Sequence, residues 1–320
     1  MIGKCRRSVA INKPLVLCLS LVLLSGWSCD RKQNSLIDLV PANSCAVVVI
    51  DWQVVRVDGD LRRLLNGNKL ESILPQLALE SVSVKSIAIF SGINTGPEAG
   101  MILRAVFDKR RQVSALKTLG WQEEFGDGRL LLVKGQHSIA LPQQNTMYVG
   151  TREGARAVFQ ALDERRQSFS SSSSYKRLLE GMSSRGNPIT AFLVFPQGTL
   201  DMADAALQAT SFALLLFDLG AVGALLKQVN VARGLGLSLG RRSNQVYPVE
   251  MCALMRDEKA AAVVSGSLNL MKGFSSMATT NSRESHTLET LSELSVTRHG
   301  EVVSIQFKVP PAALVDNAGR

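Results

Sequence analysis

Aromatic side chains make up only 5% of the 320 residues, histidine occurs three times and cysteine five times. Each scarcity excludes a class of chemistry. So few aromatics leave no stacking platform for single-stranded nucleic acid. The basic residues form no stripe either. Arg62-Arg63, Lys109-Arg110-Arg111, Arg165-Arg166 and Arg241-Arg242 are separate short clusters, each read as a solvated helix start or turn. Nucleic acid is therefore not an expected partner. His137, His286 and His299 lack metal-ligand spacing, and neither C-x-x-C nor H-E-x-x-H occurs. No serine sits in a G-x-S-x-G elbow with its strand-to-helix turn. Gly234-Leu235-Gly236 hints at a phosphate loop, but it continues as Leu237-Ser238-Leu239-Gly240, which alternates like a strand and opens no helix. The chain thus carries no signature of a catalytic site, a metal or a cofactor.

What is present is concentrated at the N-terminus. Lys4, Arg6, Arg7 and Lys13 precede the uncharged run Leu15–Leu24, and Ser25-Gly26-Trp27-Ser28 leads to Cys29. The run is too short for a span, which takes roughly 20 apolar residues, and matches the ~7–15 of a cleaved export signal. The segment resembles a bacterial lipoprotein signal, with Ser28-Cys29 as the small-residue–Cys core of the lipobox. It departs from that pattern at Gly26, where a leucine is usual, and at the bulky Trp27. The resemblance implies cleavage after residue 28, acylation of Cys29 and anchoring of the exported protein to a membrane. Asp30, directly after the cysteine, implies retention at the periplasmic face of the inner membrane. An ordinary secretory signal or a short uncleaved anchor is the alternative.

Removing those four basic residues takes the net charge from +9 to +5. Cys5 and Cys18 also leave with the signal, so Cys45 and Cys252 are the remaining thiols. Both lie in strand-like runs and read first as small buried hydrophobes. An oxidising compartment leaves a Cys45–Cys252 bridge as the alternative.

The body reads as α+β, built of antiparallel sheets with packed helices. The expected divisions are a tether over 29–38, a first half over 39–167, a serine-rich linker over 168–187, a second half over 188–312 and a tail over 313–320. Cys45–Val55 reads as a buried strand, and Asp60–Leu79 has a helical rhythm broken by Gly67 and Pro75. Asp108, Thr151 and Asp257 are expected helix caps. Ser168–Ser174 reads as a surface loop. Val302–Val309 alternates with period two. A strand, an Asp cap, a helix and a hairpin recur over Met101–Val133 and Val249–Val309, which suggests two pseudo-repeated halves. Val40-Pro41-Ala42-Asn43-Ser44 before an apolar strand, and Val149-Gly150-Thr151-Arg152-Glu153-Gly154 before a helix, resemble segments of bacterial envelope proteins of unknown function. That resemblance implies a membrane-anchored, duplicated α+β body and carries over no catalytic residue.

Ala203–Val229 is the unusual internal feature. Between Ala205 and Leu226 the only charge is Asp218, amid Phe212, Leu216 and Leu219. Such a helix is a buried core element, or it lines a hydrophobic ligand or faces lipid. The functional expectation is a non-enzymatic, membrane-anchored envelope lipoprotein that binds or scaffolds, with an envelope protein as partner. The alternatives are a carrier or sensor of a hydrophobic ligand lined by Phe212, Leu216 and Leu219, and an unrecognised hydrolase. Replacing Cys29 by Ser is expected to move the protein from the membrane to the soluble fraction. Unchanged fractionation would overturn the lipid anchor.

Overall fold

The apolar run after Ser44 becomes the centre of a single twelve-stranded sheet. This computed structural model describes residues 35–65, 67–92, 99–126, 128–182, 186–195, 232–278, 294–311 and 314. The signal, Cys29, His286 and the segment 203–229 with Phe212, Leu216 and Leu219 lie outside the described residues. The strands are β1 (Ser44–Asp51), β2 (Val84–Gly92), β3 (Gly100–Ala105), β4 (Gln122–Gly126), β5 (Arg129–Lys134) and β6 (His137–Gln143). They continue as β7 (Thr146–Gly150), β8 (Ile189–Val194), β9 (Ala232–Leu239), β10 (Tyr247–Met255), β11 (Ser295–His299) and β12 (Val302–Val309). Their order is β11-β12-β10-β9-β8-β1-β2-β3-β7-β6-β5-β4, and every neighbouring pair is antiparallel. The fold is α+β.

Helices cover both faces. On one face α1 (Trp52–Val55), α2 (Gly59–Leu64), α3 (Gly67–Ile73), the 3-10 turn Leu74–Leu77 and α4 (Lys109–Thr118) bury Ile50, Ile87, Leu103 and Met147 beneath Trp52, Leu61, Leu74 and Leu116. Farther along that face, α7 (Glu258–Ala278) packs Ala261, Val264 and Leu268 onto Val303, Met255, Phe195 and Ala232. The other face carries the 3-10 turn Leu36–Leu39, α5 (Arg152–Leu162) and α6 (Ser173–Gly181), which enclose Val47, Phe90, Ile102, Tyr148 and Phe192.

Local chemistry sets the boundaries. Asp108 accepts from Arg111 N–H, Thr151 Oγ1 from Gly154 N–H and Asp257 from Ala260 N–H, so each expected cap is a cap. Gly120 follows α4 with φ +87°. Asp51 departs from expectation. The reading of Cys45–Val55 as one strand fails there, because the Asp51 carboxylate accepts from Val54 N–H and turns the chain into α1. The serine-rich stretch is not a loop. Phe169 is buried within the 3-10 turn Phe169–Ser171, and Ser172 accepts from Tyr175 N–H to start α6. Serine there caps helices, which its composition alone does not reveal.

The strand-cap-helix-hairpin order recurs as expected, but the two hairpins sit differently. β12 pairs directly with β10, whereas β4–β5 lies at the outer edge beyond β6 and β7. In strand order β11–β12 therefore matches β6–β7. Outward from the β1–β8 pair the sheet reads β8-β9-β10-β12-β11 on one side and β1-β2-β3-β7-β6 on the other.

Two tyrosines tie distant parts together. Tyr247 on β10 is fully buried, and its hydroxyl donates to Asp58 (2.7 and 2.9 Å to the two oxygens), with Asp60 Oδ2 at 3.2 Å. Asp58 also caps α2 by accepting from Asp60 and Leu61 N–H, so the helices after β1 are pinned to a strand far along the chain. Tyr148 is also fully buried, donating to Ala99 O at 3.0 Å or Thr151 O at 3.1 Å. Its side chain occupies space that only glycines leave open: a Cβ would fall 2.4 Å from a ring carbon at Gly100, and 2.3 Å and 2.1 Å from the hydroxyl oxygen at Gly150 and Gly154. Gly154→Ala is expected to cost about 1–3 kcal/mol, the usual range for overpacking. Tyr148→Phe in the same chain should recover part of it, because the clashing atom is the hydroxyl oxygen. Urea unfolding of both variants measures this, and additive losses would refute the steric account.

Candidate apolar binding surface

Register carries one row of side chains across the sheet on the α1–α4 and α7 face. Val296, Ile305, Met251, Leu237, Ala191, Val48, Ile89, Met101, Val149, Ile139 and Leu132 are successive cross-strand partners. Every one is apolar. At ~4.8 Å between strands, the stretch from Ile305 to Val149 spans roughly 34 Å.

Burial along the row is uneven. Ala191 and Val48, at its centre, are buried, as are Ile139 and Leu132 at one end. Ile305, Met251 and Leu237 on one side of the centre and Met101 and Val149 on the other are only half-buried, and Ile89 is 43% exposed. The row borders the core beneath α1–α4, and Ile305 touches both that core and the one beneath α7. Outward from Val48 and Ala191 the two sides read Ile89, Met101, Val149 and Leu237, Met251, Ile305. A methionine thus stands at the same place on each side. Methionine has three rotatable bonds and a polarisable sulfur, which suits surfaces that adapt to apolar partners. Leaving such residues half-exposed forfeits transfer energy at about 25 cal/mol per Å², so the surface gains from any apolar cover.

The opposite face carries a contrasting row. Ser295, Gln306, Glu250, Ser238 and Thr190 are successive partners over β11, β12, β10, β9 and β8. Beyond Thr190 the same row becomes Val49, Ala88, Ile102 and Tyr148. Glu250 is buried and accepts from Gln306 Nε2 at 2.9 Å, while Asn187 Nδ2 donates to Ser238 Oγ. Gly236-Leu237-Ser238-Leu239-Gly240 has the spacing G-x-S-x-G, but Ser238 lies fully buried near the end of β9, which a turn joins to β10, and not at a strand-to-helix turn. That geometry does not present a nucleophile.

His137 and His299 are exposed at the ends of β6 and β11. Among the described residues no cluster of His, Cys, Asp or Glu could hold a metal.

Cys45 and Cys252 are not brought together. β8 and β9 separate their strands, so the two lie about 14 Å apart across the sheet, beyond the ~7 Å Cα limit of a disulfide. Both are free thiols. Cys45 is half-buried and its Sγ donates to Ser91 O, while burial raises its pKa. Cys252 is buried, donates to Leu178 O at 3.3 Å and fills space that Gly236 leaves open. Burial, with the Glu250 charge two residues away, pushes the Cys252 thiol up to about 12.

The two rows and the tyrosine ties escape sequence reading because they arise from pairing between remote strands. The one legible signal was glycine spacing around Tyr148, since Gly150 and Gly154 belong to the Val149–Gly154 motif.

No protein-family model matches the chain, and no curated protein does. Among solved structures it has a likeness to three crystal forms of TP0453, which it matches over 88% of its own length. Form III has a TM-score of 0.48 at 7% identity, form I 0.47 at 8% and form IV 0.47 at 9%. The shares of those chains covered are 96%, 96% and 94%.

The thiol geometry makes a simple expectation. Mature protein carrying Cys29→Ser, denatured without reductant, should take up two equivalents of a thiol reagent. Native protein at pH 8 should leave Cys252 unlabelled, because its thiolate is scarce and sealed from solvent. No uptake after denaturation would mean that the two cysteines are bridged.

Proposed function

We propose that this chain is an exported, lipid-anchored, non-enzymatic binding protein of the cell envelope, and that its ligand has a long apolar portion. The observation that carries this reading is the apolar row across the middle of the sheet, whose half-exposed members Ile305, Met251 and Leu237 on one side and Ile89, Met101 and Val149 on the other flank the buried Ala191 and Val48. It is long, narrow and free of hydrogen-bonding side chains. Such a surface favours an extended apolar molecule by burial alone and offers no group for bond-making chemistry. The lipobox-like Ser28-Cys29 supports attachment to a membrane. Attachment would place the protein where molecules with acyl chains reside. Durable anchoring asks for several acyl chains, since each buried CH₂ adds about 0.8 kcal/mol and a single chain holds only marginally.

Native mass spectrometry of residues 30–320, made without the signal, tests the reading. The expected result is a reproducible added mass that extracts into organic solvent. Met251→Asp and Leu237→Asp, each placing a carboxylate at a half-exposed position of the row, should reduce that occupancy at least tenfold while far-ultraviolet circular dichroism stays unchanged. A bare polypeptide mass for the unmutated chain would overturn the ligand and turn the search to protein partners.

A further inference from the structure

One surface beside the row has an incomplete cover. The row next to it on the same face runs Leu193, Leu235, Ala253, Val303 over β8, β9, β10 and β12. Counted outward from the centre, its counterpart is Ile50, Ile87, Leu103, Met147 over β1, β2, β3 and β7. The counterpart is completely buried, with Ile87, Leu103 and Met147 at 0% exposure, because the β1–β2 connection folds back over it as α1–α3. Leu193, Leu235 and Ala253 remain half-buried although α7 packs alongside them.

We propose that this surface is the docking site of the chain's own apolar segment 203–229, in the way that residues 52–77 cover Ile50, Ile87 and Leu103. Position in the chain selects this occupant. The segment lies in the connection between β8 and β9, which is the place in strand order that the α1–α3 connection holds between β1 and β2. The connection leaves at Phe195 and returns at Ala232. Both residues are buried in the α7 cluster, and Phe195 N–H donates to Arg233 O at 2.8 Å. An apolar stretch joined at both ends to the edge of this surface meets it at millimolar effective concentration. A second copy has no such advantage. The composition fits as well, since Asp218 is the only charge between Ala205 and Leu226. The 36 residues from 196 to 231 also exceed the 32 from 52 to 83 that cover the counterpart. The inference is independent of the ligand reading, because it concerns the neighbouring row and needs no bound molecule.

Photo-crosslinking tests it without altering the design of the chain. The protein is grown with a diazirine analogue of leucine, which replaces leucine almost isosterically, and is illuminated both in solution and with phosphatidylcholine–phosphatidylglycerol vesicles. The expected result is intrachain links from 203–229 to β8, β9, β10 or α7, with a yield unchanged over a tenfold dilution. Links from 203–229 only to a differently isotope-labelled copy would overturn the proposal in favour of self-association. Links only to vesicle lipid would overturn it in favour of a bilayer, and no link from the segment to this surface would overturn it outright. Hydrogen exchange of Ala253→Asp gives a second reading. Amides of 203–229 should exchange at least tenfold faster while those of β1–β3 stay unchanged, and equal exchange in both chains would count against docking.

Discussion

A single layer of twelve strands has two faces, and both must be taken out of water. The core positions and most helix placements answer that requirement. β1 shows it most directly, since Val47 faces one cluster while Val48 and Ile50 face the other. Antiparallel sheets commonly leave one face wet. This one does not, so its central strands read as continuous apolar runs and its helices are divided between two layers. The half-exposed rows are where that requirement is met incompletely by the described residues. They fall on one face, around the β1–β8 pair, between the helices after β1 and α7.

Elements governed by neighbours in sequence were legible. Asp108, Thr151 and Asp257 each sit one residue before a helix and supply the oxygen that its free N–H groups require. Val302–Val309 alternates on its α7 face as read, with Val303, Phe307 and Val309 buried. Its other face is less wet than alternation suggests, because α6 covers Val302 and Ser304, and Ser304 Oγ donates to Gly181 O. Asp51 and the serine run misled for one reason. Asp and Ser side chains can cap a helix or simply face solvent, and only the backbone that follows decides between these. The half-exposed row could not be read at all. It exists through register between strands as remote as β1 and β8, and a shift of one residue would have turned every member to the opposite face.

The same register separates two chemistries on one sheet. Met251 and Glu250 are adjacent on β10, yet one belongs to the apolar row and the other to the polar row beneath it. Buried Glu250 keeps a hydrogen bond from Gln306, and its charge adds to burial, the larger cause, in raising the Cys252 pKa. The polar row stops where β8 meets β1, because Val49 follows Thr190. Beyond that point the face is filled by Tyr148 and the small residues that make room for it. Composition therefore differs between the two sides even though strand order matches.

The position of β1 also imposes a sequence of events in time. β2 and β3 follow it closely in the chain and can pair as soon as they exist, but its other neighbour, β8, begins only at Ile189. A chain that emerges N-terminus first carries Ala46-Val47-Val48-Val49-Ile50 with one open hydrogen-bonding edge until most of the protein has followed. That run is uncharged and largely β-branched, the composition from which intermolecular strand pairing grows. Maturation thus passes through a waiting stage, and the time spent in it is set by the arrival of β8.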